Sequence, residues 1–450
     1  MSEHKVMNRW LVVVGGILIQ LCLGAIYAWK AFAGKLEGAG FSKTETQVIF
    51  SAGLLTFAVV MALLAGRWQK KVGPRMVAMV GGIVLGIGYI FAGLSGTSFW
   101  GILFGVGLLG GAGIGLAYVC PIAALVKWFP DKKGLITGLA VAGFGFGALI
   151  WIKLTTGFDF GPIDLTFGWK GLYGMGMTFS QVFMLYGVLF AVIVILGSLV
   201  MVNPPDGWQP AGWQPPTGSQ AASSGSVNLT EKEMVRTSQF WILFLTFTAG
   251  GMAGLMVIGI IGLFGVEALM AGGIDKVRAD LIAGTAMGLF YALLNGIGRI
   301  AWGAISDKTG RKNAIILMSA AQGIMMIVFY FIGGSEIGLY IGAAIIGFNF
   351  GGNFALFPGA TADYFGNKNV GTNYPWVFMA YGVGGVVGPI LGGIMGDHQL
   401  WMWAFIPCGV ACLLAAVLSM GLKPIQPAGM AVEAPVPAPS LTQQARRDQE

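Results

Sequence analysis

Twelve long apolar segments, separated by short polar connections, constrain the fold of this chain more than any other feature. Each segment is about as long as the 20 residues that an α-helix needs to cross a bilayer. Only 10% of the 450 residues are charged and 56% are hydrophobic, whereas soluble domains are about 25% charged. The sequence therefore predicts an all-α membrane protein with twelve transmembrane helices, at about 10–32, 46–67, 76–96, 99–125, 134–153, 180–203, 239–266, 281–304, 313–333, 336–361, 371–395 and 400–422.

The basic residues of the connecting loops predict the orientation of the chain. Lys and Arg cluster at 67–75, 127–133 and 308–312. Cytoplasmic loops carry such an excess, so these loops and, with an even number of crossings, both termini are predicted to be cytoplasmic. The same rule accounts for the net charge of +7 without a nucleic-acid partner. We expect a multi-pass protein of the cell (inner) membrane.

No pattern for catalysis or for a bound cofactor is found in the sequence. The histidines are His4 and His398, the four cysteines lie within apolar segments, and neither a metal-ligand spacing nor a phosphate-binding loop is present. We therefore predict that the protein is not an enzyme and has no cofactor or metal site. We also predict that ATP does not drive transport directly.

The two halves of the chain are repeats of one another. Residues 66–75 and 303–312 match at an offset of 237 (303 − 66), and Gly145 matches Gly382 at the same offset. Duplicated six-helix halves are the architecture of one large transporter class. We predict an N-terminal bundle at 1–203, a Pro/Gly/Ser-rich cytoplasmic linker at 204–236, a C-terminal bundle at 237–422 and a disordered cytoplasmic tail at 423–450.

The eighth segment contains Arg299 inside a stretch that is otherwise apolar. Arginine at the bilayer centre costs about 2.5–3.5 kcal/mol on insertion scales, so it is normally kept where it faces a partner, a cavity or a substrate. Asn295 lies one turn earlier on the same helical face. A planar guanidinium with an adjacent amide matches a carboxylate. The repeat positions are Ala62 and Ala58, so the polar pair occurs in one half, as a ligand site would.

Two structural alternatives stand beside this hypothesis. Arg299 could pair with Asp307, but the two residues lie about 12 Å apart along one helix, which is too far for direct contact. Asn295 could form a hydrogen bond between helices without contacting a ligand.

Residues 303–312 carry a pattern of glycine, acid, glycine and base, namely Gly303, Asp307, Gly310 and Arg311. This pattern resembles the signature loop of the major facilitator superfamily, which follows the second and the eighth helix. The resemblance implies two six-helix bundles that alternate access to a central cavity, and it implies a structural or gating role for the loop. In the first copy Lys70 stands at the position of the acid, which departs from the pattern.

A narrower resemblance rests on Gly24-Ala-Ile-Tyr-Ala-Trp29, on Pro204-Pro205 with the following Gly-Trp-Gln-Pro, and on residues 382–389. These stretches are similar to the oxalate/formate antiporter family, which is related to the monocarboxylate transporters. The resemblance implies that Arg299 binds the substrate carboxylate, with Asn295 beside it. It also implies a site lined by aromatic residues, for which the candidates are Tyr27, Tyr118, Phe144, Phe350, Phe354, Phe378 and Tyr381.

Two departures from that family narrow the expected substrate. Oxalate exchangers carry a lysine in the eleventh helix, three residues after an aromatic, and these positions are Phe378 and Tyr381 here. Without that lysine, a dianion such as oxalate would face one positive charge instead of two. A monocarboxylate needs only one, so electrostatics favours a monocarboxylate as the substrate. Lys30 stands where the family usually has a small polar residue, and it is a candidate for a transient substrate or proton site.

The predicted function is secondary active transport of a small monocarboxylate such as lactate or pyruvate, coupled to protons. Formate/oxalate-type exchange of anions is the alternative, and a sensor with a transporter-like fold is a hypothesis from another class. The expected partners are the carboxylate, a proton or counter-anion, and the lipid bilayer, with the protein acting as a monomer.

Overall fold

The computed structural model describes residues 7–129, 133–157, 169–205, 208–210, 227–366 and 369–425. Within these ranges the regular structure is helical, and twelve helices are long and apolar enough to span a membrane, as predicted. They are α1 (Arg9–Gly38), α2 (Lys43–Val72), α3 (Pro74–Leu94), α4 (Phe99–Leu125), α5 (Gly138–Thr156), α6 (Phe179–Leu199), α7 (Ser238–Ala271), α8 (Lys276–Thr309), α9 (Arg311–Ile332), α10 (Glu336–Phe365), α11 (Val370–Asp397) and α12 (Met402–Ser419).

Some helices extend beyond the apolar segments that predicted them. α1 continues to Gly38, although its apolar segment ends near residue 32, and α8 begins at Lys276 instead of near residue 281. The additional turns carry charged residues such as Lys35 and Glu37. Charge lowers hydropathy without ending a helix, so hydropathy finds the apolar middle of a helix and misses its polar ends.

Equivalent glycines end α2 and α8. Gly73 has φ +85° and Gly310 has φ +82°, a backbone region that favours glycine, and the two positions differ by the repeat offset of 237 (310 − 73). Pro74 and Arg311 then begin α3 and α9 directly. We call the end of the molecule that carries these two turns the basic end, after the Lys and Arg residues around them.

The two halves meet along two helix pairs, α2 with α11 and α5 with α8. A Cβ atom on Gly382 of α11 would lie 2.7 Å from the Cβ of Ala58, and one on Gly145 of α5 would lie 2.7 Å from Oδ1 of Asn295. These two contacts are related by the repeat, since both pairs differ by 237 (382 − 145 and 295 − 58). Small residues at such crossings let membrane helices approach closely.

Both ends of the linker between α6 and α7 lie against helices of the adjacent half. Trp208 packs edge-on against Trp128, the last residue of the helix that contains α4, with ring centroids 4.9 Å apart. At the other end, the Leu229 carbonyl accepts hydrogen bonds of 3.0 Å from Asn369 and Asn373. Residues 206–207, 211–226 and 426–450 lie outside the described residues, so the limits of the linker and of the disordered tail stay predictions.

Candidate functional site

Arg299 lies in the interior of the bundle, where α5, α8 and α10 meet. Its side chain is buried, with 1% of the residue exposed. Nε donates to Oδ1 of Asn295 at 3.0 Å, and Nη1 donates to the main-chain carbonyl oxygen of Val141 at 2.9 Å. The guanidinium carbon lies 4.0 Å from the ring centroid of Phe354 and 5.7 Å from that of Phe144. Arg299 therefore contacts both halves, because Val141 and Phe144 belong to α5.

Two donor groups at this site have no hydrogen-bond partner among the described residues. They are Nη2 of Arg299 and Nδ2 of Asn295, and both are buried. An unpaired polar group in a membrane interior costs several kcal/mol, roughly as much as a lost hydrogen bond in an apolar medium. A carboxylate has two acceptor oxygens, so it can accept from a charged guanidinium donor and from a neighbouring amide donor.

Glycines explain how three helices converge on this pair. Asn295 and Arg299 are four residues apart and share one face of α8. On the α5 side, Gly145 leaves the space that Asn295 Oδ1 fills. On the α10 side, a Cβ on Gly351 would lie 2.1 Å from the carbonyl oxygen of Asn295, which no side chain could tolerate. The polar pair is therefore held between two helix backbones.

The seven predicted aromatic residues form one cluster around Arg299. Phe144 contacts Tyr27 and Tyr118 at centroid distances of 5.0 and 5.3 Å. Phe354 lies 5.3 Å from Phe350 and 5.7 Å from Tyr381, and Phe378 stacks on Tyr381 at 4.8 Å. The cluster contains residues of both halves, as expected for the centre of the molecule.

Two tyrosines of this cluster form a second polar contact between the halves. The hydroxyl oxygens of Tyr27 in α1 and Tyr381 in α11 are 3.0 Å apart and share a hydrogen bond. Tyr27 lies in a 3₁₀ segment, Gly24–Trp29, that interrupts the α-helical geometry of α1. Such a segment inside a long helix often marks a hinge or a functional site.

Sequence reasoning missed several residues of the same region. Phe57 of α2 contacts Phe378 and Tyr381 at 5.3 and 5.6 Å. Gln20 of α1 donates to the carbonyl of Tyr118 at 3.0 Å and leaves its own Oε1 without a partner among the described residues. A signal for Phe57 was present, since it adjoins Ala58, the repeat counterpart of Asn295.

Lys153 is a second buried cation that sequence reasoning missed. It lies in α5 with 3% of the residue exposed. Its Cε would be 3.5 Å from a Cβ on Gly288, which precedes Arg299 by eleven residues (299 − 288). That spacing corresponds to about 16 Å along α8, so Lys153 packs against α8 about three turns before Arg299.

Lys30 lies apart from the cluster, near the end of the bundle opposite the basic end. Its Nζ donates to the carbonyl oxygen of Asp280 at 3.3 Å and lies beside Gly284. Gly284 precedes Arg299 by fifteen residues (299 − 284), or about 22 Å along α8. A direct contact between Lys30 and a small ligand on Arg299 is therefore excluded in this conformation.

The charged residues of the loop at the basic end, within residues 303–312, form ion pairs. Arg311 pairs with Asp307 at 3.0 Å and with Asp363 of α10 at 3.3 Å, and it also donates to Ser306. The loop thus ties α8 and α9 to α10 within one half. Gly303 lies in α8 before it, and Gly310 forms the turn.

Candidate metal ligands do not cluster in the described part of the chain, where no group of three or more His, Cys, Asp or Glu side chains has a suitable arrangement. The polar chemistry of the central site is therefore that of a guanidinium, an amide and tyrosine hydroxyls.

Comparison with known proteins agrees with this architecture. The oxalate:formate antiporter of Oxalobacter formigenes is 27% identical over 420 residues, which cover 93% of this chain and 92% of the antiporter. Apicoplast pyruvate carrier 1 of Toxoplasma gondii is 25% identical over 454 residues, which cover 82% of this chain and 81% of the carrier.

The solved structures show the same fold. A bacterial homologue of the human lysosomal transporter Spinster, in an inward-facing and unoccupied conformation, superposes with a TM-score of 0.62. It covers 93% of this chain and 97% of its own, at 16% identity. The family model described as Major Facilitator Superfamily matches residues 9–374 and, in a second match, residues 277–449. This chain, with its twelve helices in two repeated halves, belongs to the major facilitator superfamily and is a transporter.

Proposed function

We propose that this transporter carries a small monocarboxylate, such as lactate or pyruvate, and that Arg299 binds the carboxylate group. The observation that supports this most directly is the pair of unpartnered buried donors, Nη2 of Arg299 and Nδ2 of Asn295. If one carboxylate oxygen accepts from each of these donors, both donors gain a hydrogen-bond partner. The hydrogen bond from Arg299 Nε to Asn295 Oδ1 fixes the orientation of the guanidinium, including that of its unpaired Nη2 group.

The charge at the site favours a monoanion. Phe144 and Phe354 lie against the faces of the guanidinium. By the resemblance to the oxalate/formate antiporter family, Tyr381 stands at the position where an oxalate exchanger carries a lysine. A second carboxylate would enter this low-dielectric environment without a compensating charge, which costs several kcal/mol by estimates for buried ions. Lys30 packs against α8 near Gly284 and Lys153 near Gly288, about four and three turns before Arg299, and the proposal assigns that second charge to neither.

The aromatic cluster supplies walls for a short carbon chain. The ring of Phe354 lies against the guanidinium. Phe350 and Phe378 pack on Phe354 and extend this apolar surface. Tyr27 and Tyr118 carry hydroxyls that interact electrostatically with Arg299. These hydroxyls can donate to a carboxylate or to an adjacent keto or hydroxyl oxygen of the substrate.

In the proposed mechanism, alternating access acts through contacts that cross between the halves at this site. Arg299 Nη1 binds the Val141 carbonyl of α5, and Tyr27 binds Tyr381 of α11. A ligand shifts the equilibrium between conformations only through a difference in its affinity for them. We infer that a carboxylate on Arg299 shares the guanidinium with the Val141 carbonyl, weakens that contact between the halves, and so shifts the equilibrium between the conformations of the transporter.

Coupling to protons is the proposed energy source, and Lys30 is the proposed coupling residue near the entrance. Exchange of anions is the second candidate, and it is favoured by the similarity to an oxalate:formate antiporter. We further propose that the basic end faces the cytoplasm with both termini, that the protein lies in the inner membrane of a bacterial cell, and that it works as a monomer.

Uptake into proteoliposomes tests these proposals. Labelled lactate, pyruvate, formate and oxalate are supplied outside, either with an imposed pH gradient or with unlabelled substrate inside. Proton-coupled monocarboxylate transport requires that the gradient alone drives accumulation of lactate or pyruvate. Stimulation only by preloading would establish exchange instead, and binding without accumulation would establish a sensor.

A further inference from the structure

The two halves carry charges of opposite sign at two equivalent positions of the basic end. Lys70 of α2 corresponds to Asp307 of α8 at the offset of 237 (307 − 70). Lys127, near the end of the helix that contains α4, corresponds to Asp363 of α10 at an offset of 236 (363 − 127), which also aligns the aromatic pair that follows each of them. The N-terminal half therefore has two lysines where the C-terminal half has two carboxylates.

In the C-terminal half, the two carboxylates bind one cation. Arg311 lies 3.0 Å from Asp307 and 3.3 Å from Asp363. The two acidic positions are thus close enough to reach the same side chain. Because α2 also packs along the helix that contains α4, the repeat predicts that Lys70 and Lys127 lie side by side in the same way.

Among the described residues, no charged side chain occupies the corresponding place between the two lysines. Pro74, the counterpart of Arg311 (311 − 237), is uncharged. Lys70 takes part in none of the ion pairs in the described part of the chain, and Lys127 donates to the neutral amide oxygen of Asn203 at 3.1 Å. An ammonium group has three N–H donors, so Lys127 can bind a second acceptor as well. The two lysines thus form a cationic site for which these ranges supply no counterion.

Further basic and apolar side chains surround this site. The turn between α2 and α3 carries no acidic residue within 66–75, and its other basic side chains are exposed, namely Arg67, Lys71 and Arg75. Four apolar side chains beside them are 45–50% exposed, namely Leu63, Leu64, Val72 and Met76. Trp68 lies half-buried among them, and tryptophan is enriched where the membrane meets water. Cationic and apolar surfaces therefore adjoin at the level of the lipid headgroups.

We propose that Lys70 and Lys127 bind the phosphate of an anionic phospholipid, such as phosphatidylglycerol, whose acyl chains lie along the exposed apolar residues of α2. The phosphate bridges α2 and the helix that contains α4, as Arg311 bridges α8 and α10, with the charges reversed. In one half two anions hold one cation, and in the other two cations hold one anion. Basic pockets between membrane helices bind anionic headgroups in this way. The site does not depend on which substrate Arg299 binds.

The apolar surroundings favour a phospholipid over a soluble anion. A free phosphate would gain only charge interactions, which salt screens at exposed lysines. A phospholipid gains the same interactions and in addition places its acyl chains against side chains such as Leu63 and Leu64, which are 48% exposed. Any basic loop attracts anionic lipids to some extent. The proposed site differs from that general attraction because it requires two particular lysines.

The test is a titration of the full-length protein in detergent micelles with phosphatidylglycerol or with zwitterionic phosphatidylcholine, in which native mass spectrometry counts the bound lipids. We expect the double variant Lys70→Gln with Lys127→Gln to bind phosphatidylglycerol about 30-fold more weakly, or about fivefold for each lysine, which corresponds to about 1 kcal/mol per basic residue. Binding of phosphatidylcholine should not change. Equal affinity of the parent for the two lipids, or an unchanged affinity of the double variant for phosphatidylglycerol, would overturn the proposal.

Variants that keep the charge protect this test from a general effect on folding. Lys70→Arg with Lys127→Arg should bind phosphatidylglycerol within about threefold of the parent, since arginine also binds phosphate. A loss as large as that of the glutamine variant would show that charge at these positions is not what binds the lipid. If the glutamine double variant does not give a monodisperse protein, Lys127→Gln alone replaces it, and an affinity equal to that of the parent would again refute the site.

Lys308 and Lys312 provide the matched control at the same end of the molecule. They are the repeat counterparts of Lys71 and Arg75 (308 − 71 and 312 − 75) and belong to the half that has its own acids. Lys308→Gln with Lys312→Gln removes the same amount of charge, and we expect its affinity for phosphatidylglycerol to stay within about twofold of the parent. A loss equal to that of the Lys70 and Lys127 variant would reduce the site to a general attraction of basic loops for anionic lipids.

Two further measurements identify the ligand and the bridge. Inorganic phosphate in large excess should leave the bound phosphatidylglycerol in place, whereas its displacement would establish a site for a soluble anion and contradict the proposal. Phosphatidylglycerol should also raise the apparent unfolding temperature of the parent more than that of the glutamine double variant, because a ligand that binds the folded state stabilises it. An equal rise in the two proteins would show that the lipid stabilises the fold without these lysines.

Discussion

Arg299 of α8 donates a hydrogen bond of 2.9 Å to the main-chain carbonyl oxygen of Val141 in α5, so the proposed binding residue also joins the two halves of the molecule. A main-chain carbonyl is a weaker partner for a guanidinium than a carboxylate, because only the carboxylate carries a full charge. An anion at this site therefore offers Arg299 a better partner than the contact that it has without one. Binding and rearrangement of the halves are thereby linked in one side chain.

Arg299→Lys is expected to abolish tight binding while it keeps the positive charge. Lysine lacks the planar fork, so it cannot bind Asn295, Val141 and a carboxylate together. Hydrogen bonds to charged groups are worth about 1.5–3 kcal/mol, which predicts an apparent affinity about ten- to 150-fold weaker. The measurement is the concentration dependence of substrate uptake in proteoliposomes. Uptake at the parent affinity would remove Arg299 from the site, and the exposed Arg278→Lys serves as the control.

Asn295→Asp is expected to make uptake depend strongly on pH. A carboxylate at this position would lie beside Nε of Arg299, which Asn295 Oδ1 now contacts at 3.0 Å. When ionised it would neutralise the guanidinium and repel the substrate, and when protonated it would again resemble the amide. Uptake should therefore fall at neutral pH and recover on acidification. A pH profile parallel to that of the parent would contradict this role of Asn295.

Tyr381→Lys is expected to shift selectivity from monocarboxylates toward oxalate. The hydroxyl of Tyr381 is 3.0 Å from that of Tyr27, within the aromatic cluster around Arg299. A lysine there would add the second charge that a dianion requires. The ratio of oxalate to lactate uptake should rise by about tenfold or more, since one charge contact is worth over 1 kcal/mol when buried.

Tyr381→Phe is the matched control for that variant. It removes the hydrogen bond to Tyr27 and adds no charge, so it should alter the rate of transport without changing selectivity. If the phenylalanine variant also favoured oxalate, the loss of the hydroxyl and not the gain of charge would determine selectivity.

The parts of the site that sequence patterns predict are those with local signals. Arg299 stands out as a charge in an apolar segment, and Asn295 follows from helical spacing. The Val141 carbonyl has no such signal, because every residue carries a carbonyl and only the approach of α5 brings this one to Arg299. Lys153 was missed because it ends the predicted fifth segment, where lysine is common, whereas the helix continues to Thr156.

The ion pair between Lys43 of α2 and Glu267 of α7 shows a different limit of sequence analysis. The repeat offset was visible in the glycines of the two loops, yet it also relates Lys30 to Glu267, residues with opposite charges. A comparison of the two halves for similar residues does not find equivalent positions that carry charges of opposite sign. Their relationship becomes evident only when Lys43 and Glu267 are seen in contact.

Gly145→Ala and Gly382→Ala form a pair of variants related by the repeat, and they should separate substrate binding from movement of the halves. A Cβ would lie 2.7 Å from Asn295 Oδ1 in the first variant and 2.7 Å from the Ala58 Cβ in the second. Such contacts are too close, so in each variant the helices of the two halves must move apart. Both should therefore slow transport.

Only Gly145→Ala should also weaken the affinity for substrate, because it displaces the amide that orients Arg299, whereas Gly382→Ala contacts an apolar methyl group. Uptake measured over a range of substrate concentrations gives the two quantities separately. We expect KM to rise about tenfold for Gly145→Ala, as for the loss of one charged hydrogen bond, and to stay near the parent value for Gly382→Ala. Equal changes of KM in the two variants would show that Asn295 has no part in binding beyond the packing that the repeat shares.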